Sequence, residues 1–99
     1  KLLTLQVLTI FFIEMPEISR FFGIIVKMFF NEHNPPHFHV EYQDFKAVIT
    51  IKEGIVEGKM PKIALKLIFE WMEQHKEELL INWENVEKKK PLNNIEPLT

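Results

Sequence analysis

The chain predicts an α+β domain. An antiparallel meander of three to four strands is packed on one face by a long C-terminal helix. Three observations predict it. Short β-branched and aromatic runs, broken by turn residues, fill the first sixty positions. From Met60 onward apolar residues recur at three- and four-residue steps. Strands come first and the helical pattern last, which favours two layers over an alternating α/β fold.

Ninety-nine residues make one domain, with 46% hydrophobic and 26% charged residues, so a packed core is expected rather than disorder. Net charge is −2 with a pI near 6.1, which excludes a chain that is basic throughout and binds nucleic acid by charge alone. The absence of cysteine excludes disulfides and thiolate metal sites.

Lys1 to Ile13 is apolar but shorter than the roughly 20 residues a membrane helix needs. Glu14-Met15-Pro16-Glu17 follows it, with no small-residue cleavage site, so a cytoplasmic protein without a membrane partner is expected. Residues 1–14 read as an extension, either an extra strand or sequence foreign to the domain. Residues 15–99 form the domain proper.

Arg20 to Phe30 is apolar on both faces and reads as one central strand, with Gly23 marking a bulge or a close backbone approach. Asn31 to Pro36 is a turn by composition. His37 to Tyr42 is the second strand, with His37, His39 and Glu41 on one face and Phe38, Val40 and Tyr42 on the other. Gln43-Asp44 connects it to Lys46–Lys52, where Ala47, Ile49 and Ile51 share a face. Ile55 to Glu57 is a short final strand after the Glu53-Gly54 turn.

Pro61 suits the first turn of a helix. Ala64, Ile68, Trp71, His75, Leu79, Trp83 and Val86 make its apolar stripe, in one helix of about 28 residues or in two that bend near Gln74-His75. Pro91 stops the pattern and leaves an extended tail in which Ile95 and Leu98 are candidate anchors.

The chemistry concentrates between His33 and Glu41, where three of the four histidines flank a Pro-Pro pair. Two readings compete. In the first, His33, His37 and His39 hold a metal such as zinc, with Glu41 as a further ligand or as support, because neutral imidazole is the commonest protein ligand. In the second, His37 and His39 exchange protons with an RNA phosphodiester while Glu41 orients a ring and Arg20, Lys27 or Lys46 binds phosphate. A plainer alternative leaves the histidines solvated, or places them on a protein-partner surface.

Met15-Pro16, Ile18-Ser19-Arg20-Phe21-Phe22-Gly23 and Phe30-Asn31, then His33-Asn34-Pro35-Pro36-His37-Phe38-His39, resemble a small bacterial family known as domain of unknown function 4160. Glu57-Gly58-Lys59-Met60-Pro61, Asn82-Trp83, Lys90-Pro91-Leu92 and Ile95-Glu96-Pro97-Leu98 continue the likeness over roughly residues 15–98. Relatives of this kind begin at the equivalent of Met15-Pro16 and carry Lys where this chain has Asn93 and Asn94. The resemblance implies a component of a two-protein, toxin–antitoxin-like module, with a small partner encoded by a neighbouring gene. It implies candidate roles for His33, His37 and His39 and supplies no activity. RNA as a ligand and a homo-oligomer are the remaining partner expectations.

Overall fold

The computed structural model describes residues 16–99. The reading of residues 1–14 as an extension lies outside the described residues. Five strands form one antiparallel sheet in sequence order: β1 Glu17–Phe21, β2 Ile24–Lys27, β3 His37–Tyr42, β4 Phe45–Thr50 and β5 Val56–Gly58. Two helices follow, α1 Lys62–Gln74 and α2 Lys76–Glu87. The α+β meander is as the sequence predicts, with one strand more than expected, and of the two helical alternatives it takes the pair that bends near Gln74-His75.

The extra strand arises because Arg20–Phe30 is not a single strand: it holds the end of β1, a turn at Phe22-Gly23 and β2, and Met28–Phe30 lie outside the strands. Phe22 and Gly23 take φ of 50° and 81°, and positive φ at both central positions matches the right-handed twist of a two-residue hairpin turn. Gly23 is thus a turn residue, not a bulge. Phe22 gains nothing from burial, being 62% exposed, and it occupies a backbone region that L-residues visit at a cost of about 1–2 kcal/mol. The two-residue turn also switches parity, so Phe21 joins Ile24, Val26 and Met28 in the core. In β1 a register irregularity between Glu17 and Ser19 turns both Ile18 and Ser19 inward.

β3 alternates as its sequence requires. Phe38 and Val40 are fully buried, Tyr42 packs at the core margin, and His37, His39 and Glu41 stand on the opposite face. Ala47, Ile49 and Ile51 extend the same core. Gly58 closes β5 at a φ of 111°, and a Cβ there would lie 2.6 Å from the Lys46 carbonyl oxygen, so only glycine fits this crossing.

The helical stripe buries Ala64, Ile68, Trp71, Leu79, Trp83 and Val86, and the bend falls at His75, whose φ of −126° ends α1 and begins α2. The His75 ring donates to the Glu78 carboxylate at 2.6 Å, a side-chain bond across the first turn of α2.

The tail is anchored as expected at Ile95 and Leu98, both buried, and by polar bonds that the sequence does not announce. Asn82, with no exposed surface, donates to the Asn93 carbonyl and accepts from the Asn93 N–H, each at 2.9 Å. The Trp71 indole donates to the Glu96 carbonyl at 2.8 Å, and the Ile95 N–H donates to the Ile18 carbonyl of β1 at 2.8 Å.

Candidate metal centre

His37 and His39 leave β3 two residues apart and on one side, as strand geometry dictates. Their rings stand 5.5 Å apart between centroids. His39 meets Phe29 edge-on at 4.5 Å, and His37 leans on the Trp83 indole at 5.0 Å, so α2 reaches round to one margin of the site. The cluster therefore sits at the rim of the sheet's open face rather than at its centre.

The carboxylate that completes it is Glu32. One oxygen, Oε1, lies 2.6 Å from His39 Nε2 and 3.0 Å from His37 Nε2. The side chains are partly withdrawn from solvent, at 13% exposure for His37, 24% for His39 and 29% for Glu32. A ligand atom from each of the three falls within 4.8 Å of the others.

Glu41, the carboxylate that strand parity selects, is on the expected face but is not part of the cluster. Its carboxylate accepts from Lys27 at 3.1 Å. His33, the third histidine of the expected His33/His37/His39 set, is exposed and is not one of the three converging residues. The physical reason is the loop between β2 and β3. Asn31 takes a φ of 68°, which asparagine tolerates better than most residues, and the chain folds back so that Glu32, not His33, faces the strand.

Glu32 escapes a period-two argument because it lies in this loop. The signal that could find it is a carboxylate upstream of a Pro-Pro corner, where the chain must reverse over the strand that follows. Arg20 and Lys27 are engaged, with Arg20 giving a two-pronged pair to Glu17 at 2.7 and 3.0 Å. Glu17 is held below the usual carboxylate range, first by the hydrogen bond from Arg20 and then by the Arg20 and Lys27 charges, with burial opposing. Lys46 is exposed and makes no ion pair among the described residues. With His39 and Phe29 it borders an open depression of about 540 Å³ on the sheet.

Donor counting defines what the cluster can do. The Pro35 carbonyl can only accept, so His37 Nδ1–H donates to it at 2.8 Å. In a neutral ring Nε2 then carries a lone pair, yet it faces a carboxylate oxygen at 3.0 Å. Two arrangements satisfy this contact. Either a proton bridges the contact, carried by a cationic ring or by a neutral Glu32 carboxyl, or a metal cation accepts the lone pairs of both imidazoles and the carboxylate. In the second case Nδ1–H to a backbone carbonyl is the outer-sphere bond that commonly fixes a ligating histidine.

The fold and this cluster define a class: a small meander-and-helix domain with two histidines and a carboxylate on its open-face rim. The chain belongs to the family described as domain of unknown function (DUF4160), whose family model matches residues 23–84, more than half of the chain. Neither curated proteins nor solved structures provide a match. Among the described residues no helix is long and apolar enough to cross a membrane.

Proposed function

We propose that Glu32, His37 and His39 hold a divalent ion of the zinc class, and that the chain is the metal-dependent hydrolytic member of a two-protein cytoplasmic module. The observation that carries the metal is the convergence of one ligand atom each from Glu32, His37 and His39 to within 4.8 Å of one another. Bond lengths of about 2.0–2.2 Å imply tetrahedral ligand separations of about 3.4 Å, so the contact between Glu32 and His39 opens by less than an ångström on binding. Three protein ligands leave a position free for water or substrate, the arrangement of catalytic rather than structural zinc sites. The ion supplies Lewis acidity toward a phosphoryl or carbonyl oxygen and activates water.

RNA phosphodiesters are the proposed substrate class. Support comes from Lys46, a cation with no ion pair among the described residues, beside a depression that reaches His39. Arg20 and Lys27 are neutralised by Glu17 and Glu41, so the face suits a short single-stranded segment rather than a long polyanion. The two-protein setting rests on what the family resemblance implies.

Protein purified without a histidine tag and loaded with Co²⁺ tests the reading. One ion per chain with a four-coordinate visible spectrum, and cleavage of a short RNA that a chelator stops, is the expected result. Cleavage that persists in chelator would instead favour metal-free proton transfer between His37 and His39, and absence of both binding and cleavage would leave a binding module.

A further inference from the structure

The loop that supplies Glu32 is tied to the body of the domain at two points in addition to its contacts within the cluster. The Pro36 carbonyl accepts from the Ile51 N–H at 2.9 Å, and the Asn34 side-chain oxygen accepts from the Trp83 indole N–H at 3.1 Å. A longer contact of 3.5 Å joins the Asn34 amide to Glu87. Trp83 is a fixed point, since it is only 3% exposed and belongs to α2. The same indole packs against the His37 ring at 5.0 Å.

One side chain therefore meets the cluster twice. Its N–H holds Asn34, the chain neighbour of Pro35, whose carbonyl accepts from His37 Nδ1–H. Its face limits how far the His37 ring can turn. Fixing Nδ1 as the protonated nitrogen is what presents the Nε2 lone pair toward Glu32.

We propose that Trp83 and Asn34 are positioning residues that set the tautomer and orientation of His37, so that α2 controls the affinity of the metal centre. The inference rests on the metal reading and extends it to residues that touch no ion. Partners of this kind, acting through a ligating histidine, typically change metal affinity by 10- to 100-fold when removed.

Zinc affinity is measured by competition with a chromophoric chelator, on the full chain, for wild type, Trp83→Phe, Asn34→Ala and Asn34→Asp. Trp83→Phe keeps a ring against His37 but loses the donor and some core volume, so affinity falls about 10-fold, and the apo stability followed alongside reads the packing loss separately. Asn34→Ala falls similarly, and Asn34→Asp, made in a Glu87→Gln background so that no second carboxylate faces it, retains an oxygen acceptor and stays close to wild type. Stability of each apo variant in chelator is followed in parallel, and nitrogen chemical shifts of His37 report its tautomer. Loss of the single Nδ1–H tautomer in Trp83→Phe accompanies the loss of affinity. Wild-type binding with unchanged affinity and tautomer in Trp83→Phe and Asn34→Ala overturns the positioning role and leaves the metal site standing. No zinc binding by wild type removes the metal reading itself, and the positioning role with it.

Discussion

Two polar clusters flank the apolar core, one at the tail and one at the rim of the sheet's open face, and they are built on opposite principles. At the tail, Asn82 offers one donor and one acceptor, and Asn93 answers with its carbonyl and its N–H, both at 2.9 Å. Asn82 is fully buried, and a matched donor and acceptor tie it to Asn93, which is exposed. At the rim of β3, two imidazoles and a carboxylate converge, and His37 faces acceptors from both of its nitrogens. The first cluster is complete without any visitor. The second closes only when a cation, proton or metal, enters it. The tail bonds are matched within the chain, whereas at the rim one ring faces two acceptors.

The sharpest way to break the comparison is at the tail. Asn82→Ala removes two hydrogen bonds to Asn93 and leaves a gap where a fully buried side chain stood, so unfolding free energy falls by about 3 kcal/mol in urea denaturation. Zinc affinity, measured on the same protein below its transition, stays unchanged. A loss of affinity would show that the two clusters are not independent.

The rim is expected to behave in the reverse sense. Zinc at 100 times its dissociation constant stabilises wild type by about 2.7 kcal/mol, and His39→Ala abolishes that increment. In chelator His39→Ala remains folded, because its ring contributes little to the core. Thermal unfolding with and without metal reads both effects.

A smaller effect separates the tail's other anchor. Trp71→Phe forfeits the bond to the Glu96 carbonyl, and stability falls by about 1–2 kcal/mol with the metal response intact. Chemical denaturation in chelator and in excess zinc checks it.

The smallest effect lies on the exposed pair of β1. Because Glu17 is held below the usual carboxylate range, its contribution is present above the ordinary glutamate value and is lost as pH falls through the lowered one. The pair is solvent-exposed, so global stability barely moves. Carboxyl carbon shifts of Glu17 titrate at a lower midpoint in wild type than in Arg20→Ala.

How much of this was legible in the residues differs between the same two regions. The period-two rows of β3 and β4 and the helical stripe follow from hydrophobic spacing, and Phe38, Val40, Ile49, Ile68 and Trp71 are buried as that spacing requires. The turn within Arg20–Phe30 was not legible, because an apolar run with a phenylalanine at the turn carries the composition of a strand. The open-face placement of His37 and His39 followed from parity alone. Glu32 did not, since loops have no period, and parity offered Glu41 in its place. The buried role of Asn82 was equally silent, because an asparagine within a helical stripe is ordinary until its partner in the tail is in place.

The choice of carboxylate is therefore the point on which the site stands or falls. Zinc affinity of the tag-free chain is compared among Glu32→Gln, Glu41→Gln and His33→Ala. Glu32→Gln should lose affinity at least 10-fold, while Glu41→Gln and His33→Ala bind as wild type does. Loss confined to His33→Ala or Glu41→Gln, with Glu32→Gln unaffected, would contradict the Glu32–His37–His39 centre.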